Sequence, residues 1–278
     1  MKCFVCGAEM KDYLQKKMRP EEPEWKYVRC ENCGLVLCQT VYEMTDSQLV
    51  SLNDEHKSYQ GTDENRGVDP HWVERLKCQA KLFADMTAQG VWEPGMCLVD
   101  YGCGDGKLSA YVQNEMYVRG GGDTCLCELQ KYDKYMRPEG PNDYLSDEEM
   151  KPGSFDAVFS CSVFEHLLGR PDADEIIGLL KDKGTLCVHT LVCEEVPRDP
   201  EWFYLLSGHC TLWTNKSMAL LFEQYGFVGC AYRVEARMWF FFKDRRRFEQ
   251  LKSKAPMIPG EWAFSDKFVD YWKQKPYR

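Results

Sequence analysis

Apolar positions along the chain fall into short blocks separated by polar, turn-rich stretches, and the spacing within each block predicts its element. In DPHWVERLKCQAKLFADMTAQG, the residues Trp72, Val73, Leu76, Leu82, Phe83 and Met86 recur at three- and four-residue steps. That spacing predicts an amphipathic helix closed by Gly90. Strand-like and helical blocks then alternate: a strand over 96–101, a helix over 107–115, a strand over 125–132, a buried strand in FDAVFSCSVF, a helix over 173–181 and a strand over 185–191. Such alternation implies right-handed crossovers and a mostly parallel sheet. The ending differs. A helix over about 216–225 stops at Gly226, and the apolar runs FVGCAYRV and ARMWFFF follow too closely to do anything but pair antiparallel. The expected fold is therefore α/β: a Rossmann-like, mostly parallel seven-stranded sheet ending in an antiparallel hairpin, with a small N-terminal cysteine-bearing unit.

The N-terminal unit has a pattern of its own. Cys3 and Cys6 form one C-x2-C pair, Cys30 and Cys33 a second, and each is followed at once by glycine, Gly7 and Gly34. Paired knuckles of this kind predict a zinc ribbon, in which four thiolates close a tetrahedral Zn2+ site with no position left for chemistry. The polar stretch between them is too poor in apolar residues to fold without metal. Cys38 is read as packing. The organisation expected is a ribbon over 1–42, a connector and leading helix over 43–95, the alternating domain over 96–243 and a C-terminal tail over 244–278. The tail starts as a helix and continues with aromatics around Pro256, Pro259 and Gly260, which either wrap the domain or meet another subunit; the oligomeric state is left open.

Composition narrows the partners. The chain has 278 residues and a net charge of −9, from 35 basic and 44 acidic residues, and its only dense basic run is Arg245-Arg246-Arg247, read as a solvated helix face. A protein that grips nucleic acid carries a basic surface, so nucleic acid is a disfavoured partner. No apolar run reaches the roughly 18–20 residues that a membrane span requires, and the N-terminus has no signal-peptide core, so a cytoplasmic location is expected. Fifteen cysteines without a secretory context read as reduced thiols, with Cys97, Cys125, Cys127, Cys161, Cys187 and Cys230 as core filler.

The strongest chemical signal is LVDYGCGDGKLS, where Gly102, Gly104 and Gly106 follow a strand and precede a helix. Glycine there lets the backbone approach a cofactor closely, beside the free N–H groups of a helix N-terminus. Dinucleotide sites use G-x-G-x-x-G, whereas this run is G-x-G-x-G preceded by Asp100. An acid near the strand end suits the ammonium of S-adenosylmethionine, and its ribose diol calls for a second acid. Asp133, which closes the extended run CLCELQKYD, is preferred over Asp123, which lies in the glycine loop RGGGD.

The outline of sheet and hairpin is similar to that of the class I S-adenosylmethionine-dependent methyltransferases. Together with the knuckles, LVDYGCGDGKLS, YDKYMRPEG, FDAVFSCSVFEHL and DPEWFYLLSGHCTLWTNKSMALLFEQYGF resemble the zinc-ribbon-headed methyltransferases of polysaccharide and deoxysugar biosynthesis clusters, over nearly the whole chain to about Lys243. The resemblance implies S-adenosylmethionine and structural zinc as cofactors and a sugar or glycan as small-molecule substrate. It implies cofactor contacts from Tyr59, Asp100, Gly102, Cys103, Gly104, Gly106, Asp133, Tyr135 and Ser160. Tyr132-Asp133-Lys134-Tyr135 lacks the proline that follows the aspartate in many relatives. Methylation of a hydroxyl needs a base and an in-line approach. His209, in the irregular stretch after the strand over 185–191, and His166, directly after the buried strand, are the candidates. Glu165 would orient His166 or join another acid around a divalent ion, although the sequence reveals no second metal cluster. Trp202, Phe203 and Tyr204 offer an aromatic wall for a sugar face, while His56, His71 and His189 look unremarkable. Two other functions compete with sugar O-methylation: an RNA methyltransferase that grips its substrate with the ribbon, and a non-catalytic cofactor-binding scaffold.

Overall fold

The computed structural model describes residues 1–19, 21, 23–52, 72–120, 127–136 and 142–270. Its main sheet has seven strands. In chain order these are β4 (Leu98–Tyr101), β5 (Leu129–Tyr132), β6 (Phe155–Cys161), β7 (Leu180–His189), β10 (Gly229–Arg233), β11 (Met238–Phe242) and β12 (Trp262–Ser265). Their spatial order is β12-β10-β11-β7-β6-β4-β5. The pairs β5/β4, β4/β6 and β6/β7 are parallel, while β11 runs against both β7 and β10, and β12 against β10. Five strands thus point one way, and the antiparallel hairpin β10–β11 follows the parallel part as the sequence predicts, with β12 beyond it at the edge.

Both faces of the sheet are covered. On one side Val158, Leu186 and Val188 pack with Ala173, Ile176 and Ile177 of α4 (Arg170–Gly178) and Met218, Leu221 and Phe222 of α5 (Asn215–Gln224). On the other, Ala157, Phe159 and Cys187 pack with Leu76, Phe83 and Met86 of α2 (Trp72–Ala88) and Leu108 and Val112 of α3 (Lys107–Arg119). Phe248 and Leu251 of α6 (Arg245–Lys254) join this second face. Burial of this alternating apolar set is the dominant stabilising term.

Several boundaries differ from expectation. The helix predicted over 173–181 is α4, which starts earlier because Pro171 sits in its first turn, where a missing N–H costs nothing. The strand predicted from 185 accordingly begins at Leu180. The strand predicted from 125 begins at Leu129, Cys127 and Glu128 being described but outside it, while 121–126 lie outside the described residues. The tail is no separate appendage: after α6 it adds β12 to the sheet edge, with Ala231 opposite Phe264 and Arg233 opposite Trp262.

The N-terminal unit is also less separate than its sequence suggests. Its strands β1 (Met10–Lys16), β2 (Trp25–Cys30) and β3 (Val36–Cys38) pair antiparallel in turn, and α1 (Gln39–Tyr42) follows. Strand β3 then pairs with β9 (Thr211–Thr214), and β9 with β8 (Val192–Cys193), giving a five-stranded sheet of order β1-β2-β3-β9-β8. The Cys38 N–H donates to the Cys210 carbonyl at 2.8 Å, and the Thr214 hydroxyl, which caps α5, donates to the Cys33 carbonyl at 2.6 Å. The unit is welded to the segment that carries His209.

Candidate active site

A cavity of about 530 Å³ opens at the carboxyl ends of β4, β5 and β6. That is where open α/β sheets bind ligands, outside the strand ends where the order of strands reverses. One end is the turn between β4 and α3. Gly102, Gly104 and Gly106 all have positive φ, at 72°, 58° and 75°. Gly102 shows why no side chain is tolerated: a Cβ there would lie 2.6 Å from Cγ2 of Val163. Gly102→Ala combines that clash with a left-handed backbone worth roughly 1–2 kcal/mol. The expected result is a melting temperature lower by several degrees, read by thermal unfolding of the purified protein.

Asp133 ends β5 and ties this region together. Its carboxylate accepts backbone N–H groups from Gly104, Tyr135 and Met136, each at 2.8 Å. Those three donors fix the carboxylate at the rim of the cavity, beside the glycine turn. Asp100, buried at the end of β4, also lines the cavity. Burial, and then the charge of Asp133, push its carboxyl up to about 8. Cys103, Gly104 and the half-exposed Tyr135 line the same end, whereas Gly106 sits behind it as the N-cap of α3.

Among the described residues of the expected cofactor set, Gly106 and Ser160 do not line the cavity. Ser160 is fully buried, its hydroxyl without a hydrogen-bond partner among the described residues. Its neighbour Cys161 does line the cavity, because side chains alternate across a strand and one position decides the face, and Ser162, just past the strand's end with a φ of 59°, lines it as well. Tyr59 lies outside the described residues, as do the alternative acid Asp123 and His56 and His71.

The other end of the cavity is built from the 3-10 turn Phe164–His166 and the loop before β9. Cys210 donates its N–H to the Glu165 carbonyl at 2.9 Å, and the Trp213 indole N–H donates to the Phe164 carbonyl at 2.8 Å. These bonds set the two histidine rings edge to face with centroids 5.0 Å apart. His166 Nδ1 donates to the Gly208 carbonyl at 2.9 Å, and His209 Nδ1 to the Tyr204 carbonyl at 3.0 Å. With Nδ1 donating to a carbonyl, Nε2 is the ring nitrogen that each histidine can offer as an acceptor. Glu165 is buried and accepts hydroxyl protons from Thr190 at 2.8 Å and Tyr204 at 2.9 Å.

Glu165, His166 and His209 each offer a ligand atom within 4.8 Å of the other two. This second cluster corrects the sequence reading, which saw none, because His209 reaches Glu165 only through the fold. Phe203 lines the cavity and is 44% exposed, but Trp202 packs into the ribbon's core instead of forming a wall. His189 is not unremarkable: it is buried, lines the cavity and donates from Nδ1 to the Arg237 carbonyl at 2.6 Å. Burial and the nearby Arg75 hold it well below the usual histidine range, so it is neutral. Arg75 itself, a buried cation on α2 that lines the cavity, was hidden in an amphipathic pattern where arginine reads as surface.

At the knuckles, the sulfurs of Cys3 and Cys33 lie 3.6 Å apart and those of Cys6 and Cys30 3.3 Å apart, with all four within 4.8 Å of one another. A disulfide would need about 2.0 Å. Four sulfurs at about 2.3 Å from a tetrahedral ion stand roughly 3.8 Å from each other, so the set fits zinc. Cys38 is buried in β3, outside the cluster.

A doubly wound sheet with a glycine-rich first turn and a carboxylate at the end of the second strand defines a nucleoside-cofactor enzyme of the Rossmann-like class. The sequence model of a family described as "Methyltransferase domain" matches residues 71–231, more than half of the chain. The chain belongs to that family and is an S-adenosylmethionine-dependent methyltransferase. Solved structures that it resembles include magnesium protoporphyrin IX methyltransferase from Synechocystis PCC 6803 with bound SAM, at 13% identity and a TM-score of 0.45, covering 73% of this chain and 99% of that one. Another is described as a possible histamine N-methyltransferase from Thermotoga maritima, at 14% identity and a TM-score of 0.36, covering 70% and 98%. A third is the plantazolicin methyltransferase BpumL, at 10% identity and a TM-score of 0.38, covering 70% and 97%. No curated protein matches the sequence. Among the described residues no helix is long and apolar enough to cross a membrane.

Proposed function

We propose that the chain transfers the methyl group of S-adenosylmethionine to a hydroxyl of a sugar, presented as a nucleotide-sugar or a glycan. The observation that carries this reading is one cavity with a cofactor-like end, at the glycine turn, Asp100 and Asp133, and a polar end at Glu165, His166 and His209. Asp133 would hold the ribose hydroxyls, Asp100 the ammonium, and the turn the backbone of the methionine part. S-adenosylmethionine, when bound, supplies an electrophilic methyl on a sulfonium. The residues at the polar end align the acceptor and take its proton: an imidazole whose Nδ1 is spent on a backbone carbonyl turns Nε2 to that task. A sugar is supported by the resemblance of the motifs and by the exposed aromatic ring of Phe203 beside the histidines. The net charge of −9 speaks against an RNA acceptor. Cys3, Cys6, Cys30 and Cys33 would hold a structural Zn2+.

Incubation with methyl-labelled S-adenosylmethionine and a panel of nucleotide-sugars tests the acceptor class. Label on a sugar oxygen supports the reading; label transferred only to non-sugar acceptors contradicts it.

The site also predicts a pH dependence. Asp100, with its carboxyl pushed up to about 8, is protonated at neutral pH before the cofactor binds, and holding an ammonium requires it to ionise. Affinity for S-adenosylhomocysteine should therefore rise with pH by up to about tenfold per unit below pH 8 and level off above it. Calorimetric titration across that range checks this, and Asp100→Asn should flatten the curve.

A further inference from the structure

The same three side chains that form the polar end of the cavity have the composition of a metal site. Two imidazoles and one carboxylate, each offering a donor atom within 4.8 Å of the others, converge from two separate elements. Donors around one ion at about 2.1 Å stand roughly 3.0–3.5 Å apart, so side-chain rotation closes the set. The surroundings match what metal ligands require. Each imidazole spends its Nδ1 proton on a backbone carbonyl, of Gly208 and of Tyr204, which fixes the tautomer that presents Nε2 as the ligand. Glu165 is oriented by the hydroxyls of Thr190 and Tyr204, which hold a carboxylate in place without neutralising it.

We propose that Glu165, His166 and His209 bind one divalent transition-metal ion that receives the acceptor's hydroxyl oxygen. This rests on the reading of this end as the acceptor site, and it replaces direct proton removal by an imidazole with activation at the ion. Three protein ligands leave positions open for the acceptor's hydroxyl oxygen. A hydroxyl on the ion loses its proton to water more readily. The oxygen then forms the new bond to the methyl carbon, the carbon–sulfur bond breaks, and its electron pair leaves on sulfur as S-adenosylhomocysteine.

Titration of the zinc-loaded full chain with Co2+ tests the site apart from the knuckles, whose thiolates give intense sulfur-to-cobalt charge-transfer bands that histidine and carboxylate ligands lack. The expected result is one further equivalent of Co2+ with weak visible bands and no thiolate signature, its affinity lowered at least 100-fold in Glu165→Gln and His166→Ala. Glu165→Gln keeps the side chain's shape, and unchanged S-adenosylhomocysteine affinity shows that the variants are folded. No second equivalent in the wild type, or one that survives both substitutions, overturns the proposal. Absence of S-adenosylhomocysteine binding in the wild type would instead overturn the reading on which it rests.

Discussion

Replacing His209 by alanine should lower turnover by roughly 100-fold or more and leave S-adenosylhomocysteine affinity within about twofold. The magnitude follows from its position. Whether the imidazole takes the acceptor's proton or ligates the ion that activates it, the hydroxyl is a weak nucleophile without help, and such assistance is worth about 10²–10⁴ in rate. The selectivity follows from geometry: His209 stands in the loop before β9, at the end of the cavity away from the glycine turn and Asp133. Steady-state kinetics beside calorimetry separate the two effects. Retained turnover would remove His209 from the chemistry, and a parallel loss of affinity would place its role in the fold.

The second large effect should come from the knuckles, although they lie outside the cavity. Strand β3 pairs with β9, the Cys38 N–H bonds the Cys210 carbonyl next to His209, and Thr214 bonds the Cys33 carbonyl. A Zn2+ held by the four thiolates, as proposed, would contribute on the order of 10 kcal/mol to folding. Stripping it, or introducing Cys33→Ser, should unfold the ribbon, release the loop and abolish turnover, with a loss of at least 100-fold. Asp133 and the glycine turn are held by the main sheet, so S-adenosylhomocysteine binding should survive better than turnover. Re-addition of Zn2+ should restore activity to the stripped protein. A stripped protein that methylates at the wild-type rate would show that the ribbon is not needed to position His209.

Legibility in the sequence followed the range of the interactions. The knuckles, the glycine turn and the strand–helix alternation are encoded within a few residues each, and the hairpin β10–β11 is announced by two apolar runs with a short connection. The position of Asp133 beside the glycine turn was legible because a carboxylate at a strand end is a local feature. What escaped depends on distant pairing. The fusion of ribbon and core joins residues near position 37 to residues near 212, and the second cluster joins Glu165 to His209 through the bond from Cys210. Ser160 was misplaced by the strand's alternation, in which a single step turns a side chain from the cavity to the core. His189 and Arg75 gave no signal, because a buried strand and an amphipathic helix carry them in patterns where either residue reads as structural.

The central claim is that the glycine turn and Asp133 hold S-adenosylmethionine at one end of a cavity whose other end performs methyl transfer. Calorimetric titration of the zinc-loaded protein with S-adenosylhomocysteine, repeated on Asp133→Ala, tests it most directly. Loss of charge-assisted hydrogen bonds to the ribose, at about 1.5–3 kcal/mol each, should weaken the complex about 100-fold. One site of micromolar affinity in the wild type, with that loss in the variant, is the predicted result. No binding in the wild type, or equal affinity in both proteins, would contradict the account.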